Sequence, residues 1–371
     1  MKILFVQPYV TYPGVMDDTL PGQLASMGHD VLVATFSRQP LALQSSVSGL
    51  RFERVDGISL AIPYFVSEFP YMVNLEDLVK HFEPDIIHAN NLPFLTTWQA
   101  VRVAKRLRKR SIVHVNGVVM ERTYLFNLLQ RVFLHAFGPS IFGNADRIIC
   151  VNNSDAKEIT KFQAPPSKIV IIPNAVNVEK FSPSKEREKN TILWAGRFVK
   201  QKGLEYLIEA MDILVNKKGM KNVSLLLTGD GPLLLPITAM VKRFGLERNV
   251  TFLGRVSRQE IVDRMASCTI YVLPSISEAL PTYALLEAMS SGAATIISNI
   301  GGSQEIFASS SQPALLVPPR DPTSLADAIE RLLKDETLRS QLGKNARDLV
   351  LERYDLKITA AAVEQLYRSI L

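Results

Sequence analysis

The chain has 371 residues, is 47% apolar and 21% charged, and carries a net charge of +6. That length exceeds one typical domain, and that composition excludes a disordered or low-complexity protein. The positive charge admits an anionic partner, but no zinc-finger spacing, RNP-type motif or helix-turn-helix signal supports nucleic acid, which is not expected as a partner.

The first segment, "MKILFVQPYV", reads as a β-strand. It lacks the long apolar stretch and small-residue cleavage site of a signal peptide. No apolar run in the chain approaches the length of a membrane span, so a cytoplasmic location is expected. Further short apolar runs follow in order: "DVLVATF", "DIIHAN", "SIVHVNG", "RIICVN" and "KIVIIPN", then "TILWAGR", "SLLLTGD", "VTFLG", "IYVLPS", "ATIISN" and "ALLVPP". Most are continuous and not alternating, the pattern of strands buried on both faces of a parallel sheet. Helical patterns between them supply the crossovers.

The two series of strands predict two doubly wound α/β domains in tandem. The polar segment "NAVNVEKFSPSKEREKN" divides them, which places the domains at residues 1–175 and 176–354. The helical segment 355–371 has no strand after it and is a candidate to pack back on the first domain. Cys150 and Cys268 each sit in or beside an apolar run, which predicts buried free thiols and no disulfide.

Ligands in open α/β sheets sit outside the C-terminal ends of the strands. At one such end, in "WAGRFVKQKGLEYLIEA", Arg197 and Lys202 flank a strand-to-helix turn. Two cations beside a helix N-terminus suit a diphosphate. Gly229 and Gly231 in "LLLTGDGPLLL" permit close backbone approach, or simply a tight turn. In "PSISEALPTYALLEAMSSG", Glu278 falls in a loop and Glu287 on a helix, with Pro281 and Thr282 near the helix start. Neither glutamate has a Lys or Arg near it in sequence. Carboxylates accept hydrogen bonds from vicinal sugar hydroxyls, although each residue taken alone could be ordinary loop or helix surface. "SNIGGSQEIF" offers one further glycine turn.

In this order and spacing, these segments resemble glycosyltransferase family 4, the group 1 glycosyl transferases, whose members are retaining enzymes with the two-domain GT-B fold. The segments "VTFLGRVS" and "IIPNAVNVEKF" match as well, and the similarity covers nearly all of the chain. The resemblance implies two Rossmann-like domains facing across a cleft, the first for the acceptor and the second for a nucleotide-sugar donor. Arg197 and Lys202 would hold the diphosphate from a solvent-reachable position. Glu278 would hold the transferred sugar and Glu287 the ribose. Leu280, Pro281, Thr282 and Tyr283 would line the donor, with backbone amides contributing except at Pro281, which has none. Gly229 and Gly231 would lie beside the donor and Val256 near the base.

The first half departs from the family pattern. Only Gly14 stands plausibly where a glycine pair is usual, and Asn116 in "HVNGV" replaces a histidine that contacts the sugar. An asparagine amide can make the same bond, so Asn116 remains a catalytic candidate. His114 would share its strand face. His88 in "DIIHANN" matches a frequent family histidine and is a substrate-binding candidate, or a hydrogen-bonded structural residue. Eight residues separate Glu278 from Glu287, one more than the usual spacing. The extra residue is expected in the loop before Ala284, because a helical insertion would swing Glu287 off its face.

On the acceptor side, "RTYLFNLLQRVFLHAFG" places Leu125, Leu128, Leu129, Val132 and Phe133 at helical spacing, beside the basic "VRVAKRLRKR". The pair reads either as a peripheral contact with an anionic inner membrane face or as an internal helix beside a solvated one. The expectation is transfer of a hexose from a UDP- or GDP-linked donor to a glycan, lipid-linked or small-molecule acceptor, with no metal and no cofactor. A nucleotide-sugar 2-epimerase and a non-catalytic nucleotide-sugar-binding subunit stay open.

Overall fold

The computed structural model describes residues 1–8, 16–36, 45–61, 68–119, 124–307 and 311–371. The chain divides into two compact units. Among the described residues, the first holds those up to Pro173 together with Leu356–Leu371, and the second holds Asn174–Asp355.

In the first unit the strands are β1 (Lys2–Gln7), β2 (Asp30–Thr35), β3 (Leu50–Arg54), β4 (Gly57–Ala61), β5 (Glu68–Met72), β6 (Ile86–Asn90), β7 (Arg110–Val115), β8 (Arg147–Cys150) and β9 (Ile169–Ile171). A seven-stranded parallel sheet has the order β3-β2-β1-β6-β7-β8-β9, and β4 pairs antiparallel with β5 in a separate hairpin. Along β1 the side chains alternate between two cores. Ile3 and Phe5 pack on one face with Val31, Val33 and Ile112, while Leu4 and Val6 pack on the other with Leu32 and Val79. Burial on both faces is why these strands read as unbroken apolar runs.

The helix Leu356–Arg368 belongs to the first unit. Ala360, Val363 and Tyr367 complete the core that contains Ile3 and Phe5, and Glu364 reaches His29 Nε2 at 3.2 Å.

The second unit holds β10 (Thr191–Ala195), β11 (Ser224–Thr228), β12 (Val250–Gly254), β13 (Ile270–Leu273), β14 (Ala294–Ser298) and β15 (Leu315–Val317). They form one parallel six-stranded sheet in the order β12-β11-β10-β13-β14-β15. Here too alternate residues serve opposite cores: Ile192 and Trp194 on one face, Leu193 and Ala195 on the other.

Every strand expected from the sequence is present. Among the described residues, the additional strands are β3, β4 and β5. Strand β3 is "LRFER", an edge strand whose charged residues conceal it from a search for apolar runs. Cys150 and Cys268 are both free and buried, and burial pushes each thiol up to about 12.

Candidate active site

The strand order of the second sheet reverses between β10 and β13. In open α/β sheets ligands are held beyond the C-terminal ends of the strands at such a reversal. The loop after β10 runs through Gly196 and Arg197 into a 3-10 turn, Lys200–Lys202, and then into the helix Leu204–Asp212. Gly203, at φ +62°, joins turn to helix; a Cβ there would lie 2.1 Å from the Pro274 carbonyl oxygen. Glycine thus lets the loops leaving β10 and β13 touch. Gly229, at φ +122°, does the same for β11: a Cβ would lie 1.8 Å from the Gly196 carbonyl oxygen. Gly231 lies against the Phe198 backbone in the same way.

Arg197 is exposed. Lys202 is not: it is 9% exposed, and its ammonium is ion-paired with Glu278. The expectation of an open Lys202 is therefore corrected. The 3-10 turn directs the side chain inward, and the loop after β13 supplies a carboxylate to receive it. Ser275 Oγ donates to the other Glu278 oxygen at 2.8 Å.

Glu287 lies in the second turn of the helix Tyr283–Ser290. Thr282 caps that helix by accepting from the Leu285 amide at 3.2 Å. The helix is unbroken from Tyr283 onward, so the long spacing between the glutamates is taken up in the loop before it. That loop contains a cis Leu280–Pro281 bond, and Asn174 Nδ2 donates to the Pro281 carbonyl at 3.0 Å. Leu280 and Pro281 are buried, Thr282 is half-buried and Tyr283 is 43% exposed. Val256 is half-buried, just past the end of β12.

Three residues at this site escape a sequence reading. Arg258 Nη1 donates to Glu287 Oε1 at 2.6 Å. Its guanidinium lies 4.7 Å above the ring of Phe181. Tyr271 on β13 is fully buried, and its hydroxyl has no hydrogen-bond partner among the described residues. Burial first, then the charges of Glu278 and Glu287, hold the Tyr271 phenol well above its ordinary value. The signal was faint: a tyrosine in an apolar strand, and an arginine following Ser257.

In the first unit, the sheet order reverses between β1 and β6. Gly14, after β1, lies outside the described residues. His88 on β6 is fully buried, with Nδ1 2.5 Å from the Tyr367 hydroxyl and Nε2 3.1 Å from His114 Nδ1. Asn116 lies one residue past the end of β7, and its amide nitrogen is 3.5 Å from Asn91 Oδ1. Asn116 Oδ1, Asn90 Oδ1 and His114 Nε2 are buried without a hydrogen-bond partner among the described residues. Among the described residues, no group of three or more His, Cys, Asp or Glu could hold a metal ion.

The family model for glycosyl transferases group 1 matches residues 176–349, and that for Glycosyltransferase Family 4 matches residues 19–180. The chain belongs to glycosyltransferase family 4. This glycosyltransferase is 27% identical over 320 residues to the UDP-Gal:alpha-D-GlcNAc-diphosphoundecaprenol alpha-1,3-galactosyltransferase of Escherichia coli, covering 81% of this chain and 80% of the relative. It is 26% identical over 370 residues to the phosphatidyl-myo-inositol mannosyltransferase of Mycobacterium leprae, covering 98% of this chain and 88% of the relative. The crystal structure of HepE from Anabaena in complex with UDP and glucose matches with a TM-score of 0.80 at 18% identity over the whole of both chains. The fold is GT-B.

Proposed function

We propose that this family 4 glycosyltransferase moves a hexose from a UDP- or GDP-linked donor to a lipid-linked acceptor, with retention at the anomeric carbon. The observation that carries the reading is that Glu278 and Glu287, in the loop and helix after β13 beside the reversal, are each held by a cation from another segment, Lys202 and Arg258.

In this reading the second unit binds the donor. Arg197 and Lys202 face the diphosphate, whose negative charge competes with Glu278 for the ammonium. Glu278 then turns to the hydroxyls of the transferred sugar, and Glu287 holds the ribose. As the glycosidic bond breaks, the two cations stabilise the charge growing on the leaving diphosphate. The diphosphate oxygen takes the proton of the attacking hydroxyl on the same face of the sugar. The chain contributes position and charge, not a covalent nucleophile.

A lipid-linked acceptor is supported by the activities for which the two relatives are named and by the helix Tyr124–Asn144. Its first half is apolar on both sides. Phe126 and Leu134 are buried, while Leu125, Leu128, Leu129 and Val132 are 41–57% exposed. Phe133, the last residue of the stripe, instead packs on the core beside Phe137. Four exposed apolar side chains on one helix, interrupted by Arg131, which is 55% exposed and pairs with Glu158, suit an apolar surface, and a membrane surface is one. The basic run contributes less than its composition suggests. Arg106 pairs with Glu76 and Arg110 with Asp146, and Lys105 bonds Asn144 at the far end of the helix from the stripe. No helix among the described residues is long and apolar enough to cross a membrane.

The test is incubation with UDP- and GDP-linked hexoses and, as acceptors, phosphatidylinositol and a sugar-diphosphoundecaprenol. The product's anomeric configuration is read by NMR. Inversion would overturn the mechanism. Donor binding or epimerisation without transfer to either lipid would overturn the proposed acceptor class.

A further inference from the structure

We infer that Arg258 is a positioning residue for Glu287: its guanidinium, stacked on Phe181, sets the direction in which the Glu287 carboxylate meets the ribose of the nucleotide. The inference rests on the reading that Glu287 holds the ribose hydroxyls.

Each link of the chain from Phe181 to Glu287 is fixed. Ser257 caps the helix Arg258–Ser267 by accepting from the Glu260 amide at 3.1 Å, which makes Arg258 its first residue. From there the guanidinium donates to Glu287 Oε1 at 2.6 Å, with side chains 21% and 10% exposed. Its planar group lies over the Phe181 ring at 4.7 Å. Phe181 is itself fully buried, and its carbonyl accepts from Ser290 Oγ at 2.7 Å and from Arg347 Nη1 at 2.8 Å. Ser290 is three residues beyond Glu287 in the same helix. The platform under the arginine and the carboxylate it grips are thus bolted to one frame.

This arrangement suits a carboxylate that must accept from two neighbouring hydroxyls. Such a carboxylate has to stay ionised while nearly out of water, and its plane has to be fixed. A guanidinium supplies both, because it is permanently charged and its donors point in fixed directions. An ammonium would supply the charge without the plane.

Thermal shift with UDP, GDP, ADP and CDP selects the nucleotide, and calorimetry then compares it with its 2′,3′-dideoxy form. The wild-type chain should prefer the ribose form by roughly ten- to a hundredfold, the scale of hydrogen bonds to a charged group. Glu287→Gln should abolish most of that preference. Arg258→Gln should do the same while leaving affinity for the dideoxy form unchanged, and Arg258→Lys should retain only part of it. A wild-type preference in Arg258→Gln, or an equal loss for both nucleotides, overturns the inference. An undiminished preference in Glu287→Gln, or no shift with any of the four nucleotides, overturns the ribose reading beneath it. Should Arg258→Gln fail to fold, Arg258→Lys carries the same comparison.

Discussion

Lys202 and Glu278, 76 residues apart in sequence, form an ion pair whose side chains are only 11% and 13% exposed. The pair joins the loops that leave β10 and β13, so chemistry and stability are coupled in it. Truncating one member leaves the other charge nearly buried and alone, which is costly. Lys202→Ala should therefore lose about two orders of magnitude in turnover and also about 2 kcal/mol or more of stability. Adding Glu278→Gln should restore much of the stability and none of the activity. Urea unfolding and initial rates read both; a Lys202→Ala chain with wild-type stability and activity would remove the residue from the site.

Activity should persist in excess chelator. Arg197 and Lys202 supply the positive charge that a divalent cation would otherwise bring to the diphosphate. Rates measured with EDTA, and then with added Mg²⁺ or Mn²⁺, decide the point: abolition followed by metal rescue would refute it.

Mild acid should weaken the first unit. Burial, and then the neighbouring His114, hold His88 well below its ordinary value, while burial holds His114 at about 4. The unfolded chain takes up these protons near pH 6.5, before the folded chain can. The associated stability is present above pH 6.5 and is lost as pH falls toward about 4. Each unit of depression is worth about 1.4 kcal/mol. The urea midpoint should fall between pH 7.5 and pH 5, and less so in His114→Gln. A midpoint unchanged across that range in the wild-type chain would contradict the role of the two histidines.

Vesicle binding should depend on the apolar stripe more than on the basic run. Replacing Leu128 and Val132, 45% and 55% exposed, by Ser should lower partitioning to anionic vesicles by about tenfold or more. Arg106→Gln, which removes a charge already paired with Glu76, should change it little. Salt should weaken binding only in part. Sedimentation with vesicles at low and high salt separates these outcomes, and no binding by the wild-type chain at low salt would return the stripe to another partner.

The sequence by itself determined the strands, because burial on both faces of a parallel sheet demands unbroken apolar runs, and "TILWA" or "ATIIS" has few other uses. It also determined the motif loops, since glycine at positions 203 and 229 and the Thr282 cap are local requirements of backbone geometry. It showed the edge strand "LRFER" poorly, because an edge needs few apolar residues. Only the tertiary structure decided who meets whom. Glu278 has no cation near it in sequence and finds Lys202 from another strand's loop; Glu287 finds Arg258 from a helix that begins 29 residues earlier. Leu125, Leu128, Leu129 and Val132 have the spacing of a packed face and are exposed, whereas His88, a candidate ligand contact, is sealed against Tyr367 of the last helix. Periodicity is set by neighbours a few residues away, but exposure and charge pairing are set by sheet order, which brings distant loops to one edge.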